Sequence, residues 1–164
     1  MNYDGIEEFA RDFRQQIKVE SDIEDEERFL EDVFVERMLD YLHEIQELEN
    51  GILCNHKGHG IKVNAYDLNT QGNAIDILIA HYDGSLPPPI VKIKKNDIDT
   101  AFKRATLFLT RSLDGCYEKL EESNEGYDLS KTLYELRDEI VSARIILLTD
   151  GITGNLPAKT EMIE

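Results

Sequence analysis

Basic residues, cysteines and long apolar runs are scarce in this sequence, and each shortage removes a class of function. The 18 Lys and Arg residues stand against 34 Asp and Glu, a net charge of −16 over 164 residues. Such a field repels phosphate backbones and anionic membrane faces, which nucleic-acid binding meets with the opposite sign. Cys54 and Cys116 are the two cysteines, without the dense spacing of a disulfide framework, so free thiols in a reducing compartment are expected. No apolar run approaches the roughly 20 residues that span a bilayer. The opening MNYDGIEEFARDF has neither the basic nor the apolar region of a secretory signal. A cytoplasmic protein of one ordinary domain is the reading.

Familiar ligand motifs are missing too. Lys57, Gly58, His59 and Gly60 lack the G-x-x-x-x-G-K pattern of a phosphate-binding loop. Cys54, His56 and His59 lie close together and are, with Cys116, candidate zinc ligands, but the spacing matches no zinc module and contains no C-x-x-C pair; a polar turn with one half-buried thiol is the plainer reading. His81, ending an apolar run, reads as a satisfied core histidine. Asp150 followed by Gly151 fits either a ligand-facing acid at a strand end or a simple turn. There is no internal repeat, and no low-complexity tract beyond the acidic cluster Glu24 to Glu27.

What remains is a clear succession of periods. Asp4 with Glu7 resembles a helix-start box, and Ile6, Phe9, Ala10, Phe13 and Ile17 recur at helical spacing, predicting a helix to about Lys18. Leu30, Phe34, Met38, Tyr41, Leu42, Ile45 and Leu48 form a second stripe, entered through Ser21, Asp22 and the acidic cluster and ended by Asn50 and Gly51. The period then changes to alternation. Ile61, Val63 and Ala65 are expected on one face, and Lys62, Asn64 and Tyr66 on the other. A connection over Asp67 to Asn73 leads to Ala74 to Tyr82, apolar on both faces apart from Asp76 and His81, as in a doubly covered strand. Pro87 to Pro89 precede a third strand, Ile90 to Lys94. Asn96 is the expected cap of a helix closed by Asp114 and Gly115, Glu118 to Gly126 reads as a mobile loop, and a further helix from Asp128 delivers the strand Arg144 to Thr149.

Setting aside the first helix and the one before the last strand leaves αβββαβ, an α/β mixed sheet flanked by helices with an extra N-terminal helix. This order resembles the core of the restriction-endonuclease-like superfamily. The resemblance implies an acid on the second strand and a D/E-x-K pair on the third, which hold Mg²⁺ and position the attacking water, helped by a helix glutamate. Two carboxylates fix a hard cation that clamps phosphate, and a lysine stabilises developing charge. Carried onto this chain, Asp76 is a catalytic metal ligand, Lys94 the lysine, and Glu31 the helix carboxylate and second metal ligand. The position two before Lys94 holds Lys92, however, which removes a carboxylate from the cage and adds a positive charge. Moving back one strand pairs Asn64 with Asp76, and the lysine position then falls on Leu78.

From FVERMLDYLHE, through VNAYDLNTQGNAIDILIAHYDG and AFKRATLFL, to YDLSKTLYELRDEIVSARIILLTDG, the chain resembles the N-terminal region of abortive phage infection proteins of the AIPR type. The resemblance implies residues 1–151 as one domain, 152–164 as a tail or the start of a linker, and a role in bacterial defence. The partner it implies is the remainder of a longer defence protein, or a phage or host protein. Two functions stay open: a nuclease-like module that has lost its chemistry and acts through interactions, which Lys92 and the net charge favour, or an active Mg²⁺-dependent nuclease acting on DNA or RNA. No other cofactor is expected, nucleic-acid binding by the domain alone is expected to be weak or absent, and no membrane contact is expected. Asp76, on an apolar strand, needs a partner, and Lys92 or Lys94 is the expected one.

Overall fold

A computed structural model describes residues 3–23, 30–71, 73–87 and 90–152. Helix α1 (Tyr3–Ile23) and helix α2 (Leu30–Glu44) precede strands β1 (Ile52–Gly58), β2 (Ile61–Asn69) and β3 (Ala74–His81). Helix α3 (Lys95–Leu113), a 3₁₀ turn (Cys116–Lys119) and helix α4 (Glu125–Glu135) then lead to strand β4 (Ser142–Thr149). The sheet has the order β1-β2-β3-β4, with the first three strands antiparallel and β4 parallel to β3. The protein is therefore α/β, with a mixed sheet, flanking helices and an added N-terminal helix, as expected.

Strand β3 explains its own sequence. Ile75, Ile77 and Ile79 enter one core with Phe108, Leu109 and Leu133 from α3 and α4. Leu78 and Ala80 enter a second core with Ile17, Val33, Phe34 and Leu39 from α1 and α2. Covered on both faces, the strand reads as a nearly continuous apolar run. Strand β4 repeats the device: Ile145 and Leu147 pack against the first core, Ile146 and Leu148 against the second.

The expected third strand is the main correction. Ile90 to Lys94 is not a strand of the sheet; Lys92 makes one isolated bridge to Ile152, with Ile93 N donating to Ile152 O at 3.0 Å and Ile152 N to Val91 O at 3.2 Å. Its place in the order is taken by β1, whose alternation is hidden because polar side chains fill it. Cys54 and His56 point into the first core at 3% and 4% exposure, while Asn55 and Lys57 face the other way. The αβββαβ order survives with every strand one place earlier, so Asn64 lies on the second strand and Asp76 on the third.

Other boundaries move for local reasons. Helix α1 runs past Lys18 to Ile23. Helix α2 ends at Glu44, short of Asn50, because Gln46 adopts φ 61° and a Schellman turn closes: Gln46 N donates to His43 O and Glu47 N to Leu42 O, at 3.0 and 2.9 Å. Leu48 is buried beyond the turn rather than on the helix. In β2 the alternation breaks after Asn64: Ala65 joins the second core and Tyr66 the first, opposite to expectation. Lys94, not Asn96, occupies the cap position of α3. Asn124 caps α4 by accepting from Gly126 N, so this helix begins at Glu125 rather than Asp128. The stretch read as a loop from Glu118 is thus partly helical, and Gly126 is pressed so close to His56 that a Cβ there would lie 2.5 Å from the ring. The acidic cluster Glu24 to Glu27, Pro88 and Pro89, and residues 153–164 lie outside the described residues.

Candidate functional site

Strands β2 and β3 separate at one end, and polar side chains fill the gap. Their ladder ends at Ala65 opposite Leu78, whereas β3 continues along β4 to His81 opposite Thr149. Beyond that point the Asn64 side chain replaces the missing backbone partner, its Oδ1 accepting from Ala80 N at 2.8 Å. Asn64 Nδ2 donates to Glu31 Oε1 at 2.8 Å. Lys62, on the same face of β2, brings Nζ to 2.7 Å from that carboxylate oxygen and 3.4 Å from Ala80 O. Glu31 projects from the first turn of α2, where the helix dipole favours an acid. Next to it Asp32 accepts from Asn55 of β1 at 2.9 Å. The Lys62 and Glu31 side chains are 15% and 32% exposed, so their contact is a partly shielded, charge-assisted hydrogen bond.

The opposite end of β3 carries Asp76. Its two carboxylate oxygens accept from Arg144 Nε and Nη2, each at 3.0 Å, in a fork geometry, and Glu47 Oε2 accepts from Arg144 Nη1 at 3.3 Å. The hydrogen bond to Asp76 raises the Arg144 pKa above its ordinary value, against the opposing effect of burial. Asp76 therefore has the cationic partner that an acid in this strand requires, but the partner comes from β4. Lys92 and Lys94 cannot stand beside it as adjacent-strand neighbours, because their segment is not in the sheet.

Of the residues singled out from sequence, Glu31 and Asp76 face the same side of the sheet, at opposite ends of the span covered by α2. Glu31 meets Ala80 through Asn64, four residues along β3 from Asp76, a separation of about 13 Å at strand rise. Lys94 is exposed at the start of α3. The three are not brought together. Among the described residues no three His, Cys, Asp or Glu side chains converge as a metal cage. Cys54 donates to Glu125 O, Cys116 contacts Ser130, and His59 is exposed in the turn after β1. Burial, then the charges of Glu125 and Asp128, push the Cys54 thiol up to about 12.

A second polar knot lies where β3 and β4 end. Arg14 of α1 is fully buried, with Nη2 2.8 Å from Asp150 and Nη1 donating to Ser85 O at 3.0 Å. Asp150 also accepts from Asp83 N and Gly84 N, at 2.8 and 2.9 Å, so this acid anchors the turn after β3 rather than facing outward. Burial, followed by the charge of Asp150, lifts the Tyr82 hydroxyl to about 12. Sequence reasoning passed over Arg14 and Lys62. The available signals were their positions, Arg14 four residues after Ala10 on the apolar face of α1, and Lys62 between two buried residues of β2.

A magnesium ion held as the superfamily resemblance implies does not fit these donors. Glu31 Oε1 is taken by an ammonium and an amide, and both oxygens of Asp76 by a guanidinium. The structure defines a class: a small α/β domain, with helices on both faces of a mixed sheet, whose helix-borne carboxylate is held by a lysine. The comparison with protein families gives the particular one. The abortive infection phage resistance protein N-terminal domain matches residues 34–164, and the chain belongs to this family. Arg14 and Glu31 precede the matched stretch, while their partners Asp150, Asn64 and Lys62 lie inside it. Neither the curated proteins nor the solved structures compared include a match.

Proposed function

We propose that this domain is a nuclease-like fold without nuclease chemistry, serving as an interaction or regulatory module in bacterial defence against phage. The observation that carries the reading is the Lys62–Glu31 contact at 2.7 Å. In a metal-dependent nuclease a helix glutamate helps to hold a divalent cation beside strand carboxylates. In this chain an ammonium neutralises that glutamate, an amide stands at Asn64, and Ala80 contributes no carboxylate. The αβββαβ order and the parting of β2 from β3 at this point support descent from a restriction-endonuclease-like core.

The net charge of −16 supports a protein partner over a nucleic acid, and the family's description as an N-terminal domain supports the remainder of a longer defence protein as that partner. Residues 1–151 then act as one domain followed by a connecting segment, in the cytoplasm. No described helix is long and apolar enough to cross a membrane. The alternative, an active nuclease using Asp76, Lys94 and Glu31, needs these groups to gather around one metal. The test is incubation of the purified chain with single- and double-stranded DNA and RNA in Mg²⁺ or Mn²⁺. The reading expects no cleavage above that of a Glu31→Gln, Asp76→Asn double variant. Cleavage lost in that variant establishes the alternative.

A further inference from the structure

The sheet has two outer strands, and the chain treats them differently. Strand β1 is blunted in the manner of edges that avoid pairing. A bulge shifts its register between Leu53 and His56, Asn55 N donates to Glu125 Oε2 at 2.8 Å, and Lys57 is exposed near its end. Strand β4 has none of these devices. All its residues from Ser142 to Thr149 pair with β3 without a shift of register, and they include neither proline nor glycine. Arg144 is its single charge, and that guanidinium is held by Asp76 of β3. Among the described residues no further strand follows β4, and the isolated bridge of Lys92 to Ile152 lies beyond its end. Ile145, Ile146 and Leu147 stay partly exposed, whereas their neighbours in β3, Ile77, Leu78 and Ile79, are at most 1% exposed. An edge of this length, apolar on both faces and unblunted, is a template for another strand.

What the edge requires of an added strand, β4 itself supplies. A two-fold axis normal to the sheet at Ile146 lays β4 antiparallel to its copy and keeps every side chain on its own face. Ile146 then stands opposite the same residue of the copy, and Ile145 opposite Leu147, so the three partly exposed apolar residues meet one another. The ends of the edge are complementary in charge as well. Asp138 and Glu139 are exposed just before β4, where Arg137 is folded back over the Tyr134 ring at 4.1 Å, and Lys92 is exposed beside Ile152, just after it. Antiparallel pairing sets the acidic end of each copy toward the lysine end of the other. It also carries Val141, 78% exposed, toward the end where Val91 is 57% exposed.

We propose that β4 pairs antiparallel with β4 of a second copy of this chain, joining the two sheets into one continuous sheet. The contact is isologous, so it covers the open edge of both copies at once and closes as a dimer. The net charge of −16 on each copy repels at long range, where salt screens it, while the edge itself brings only Arg144, already paired within its own copy. The proposal stands apart from the metal question, since β4 contributes no residue to the gap that holds Glu31 and Lys62.

Sedimentation velocity at physiological ionic strength, over a range of concentrations, tests this with two substitutions on the axis, Ile146→Lys and Ile146→Glu. Circular-dichroism melts establish that each variant is folded before it is used. The proposal expects a reversible wild-type dimer, association about tenfold weaker or more for either variant alone, and recovery when the two are mixed, because position 146 faces itself across the axis. Hydrogen exchange of the wild-type chain reads the same contact without a substitution. Amides of β4 should gain protection as the concentration rises through the range of the dimer, and those of β1 should not. A wild-type chain that stays monomeric at every concentration, a dimer indifferent to both substitutions, a mixture that fails to recover, or protection that rises on β1 instead of β4 would each overturn it.

Discussion

The two ends of strand β3 solve the same problem, a charged group beside an apolar strand, in different ways. At the Asp76 end the acid is 21% exposed but its partners are open: the side chains of Arg144 and Glu47 are 51% and 53% exposed, and water shares the work. At the His81 end Arg14 and Asp150 are enclosed, at 0% and 5% exposure, while Lys62 and Glu31, in the gap where β2 leaves β3, are only partly covered at 15% and 32%. Burial, rather than distance, separates them, since the contacts are 3.0 Å at one end and 2.7–2.8 Å at the other. An enclosed pair cannot exchange its partner for water, so the removal of one member is costly even where forming the pair contributed little.

That difference orders the expected effects of mutation. Arg14→Ala should be the most damaging, at about 3–5 kcal/mol, because it strands Asp150 and opens the contact between α1 and the turn after β3. Urea denaturation measures it, and a midpoint unchanged from wild type would erase the contrast. Lys62→Ala should cost about 1–3 kcal/mol, since it leaves Glu31 to Asn64 alone and removes a donor from Ala80 O. Asp76→Ala should cost under about 1 kcal/mol, the range of exposed ion pairs.

At neutral pH the mildest effect belongs to the titration of Cys54. Its thiol is held neutral in the fold, with a pKa raised from 9.0 to about 12. A raised folded-state value contributes stability that is fully present below the unfolded value, so stability should be level up to about pH 9 and fall between 9 and 12. Iodoacetamide should label Cys116, which is partly exposed, well before Cys54 at pH 8. Equal labelling rates would mean that the first core opens readily.

Much of the fold is written in periodicity, and the parts that were not follow from what periodicity omits. The apolar runs of Ala74 to Tyr82 and Arg144 to Thr149 announce strands, and both are found, β3 inside the sheet and β4 at its edge. Strand β1 is invisible to that signal because Asn55, His56 and Lys57 occupy it; His56 is buried against Phe108 rather than facing water. The end of α2 is set by a left-handed Gln46, a residue type that gives no warning of a stop. The need for a partner at Asp76 was legible from the cost of burying a carboxylate, but its identity was not. Pairing across a parallel crossover joins residues 68 positions apart, and no local pattern specifies the register. Lys62 was hidden for a similar reason. It reads as the solvent face of a strand until α2 is laid over it and Glu31 reaches down.

Magnesium titration tests the central claim most directly, because the account rests on Lys62 standing where a nuclease would hold its cation. Melting curves and isothermal titration calorimetry on wild type and Glu31→Gln should give no Mg²⁺-dependent rise in Tm and no binding heat in the millimolar range for either. A Tm that rises with Mg²⁺ in wild type and loses that rise in Glu31→Gln would contradict the account, for it would mean that the metal displaces the lysine and that the site is intact.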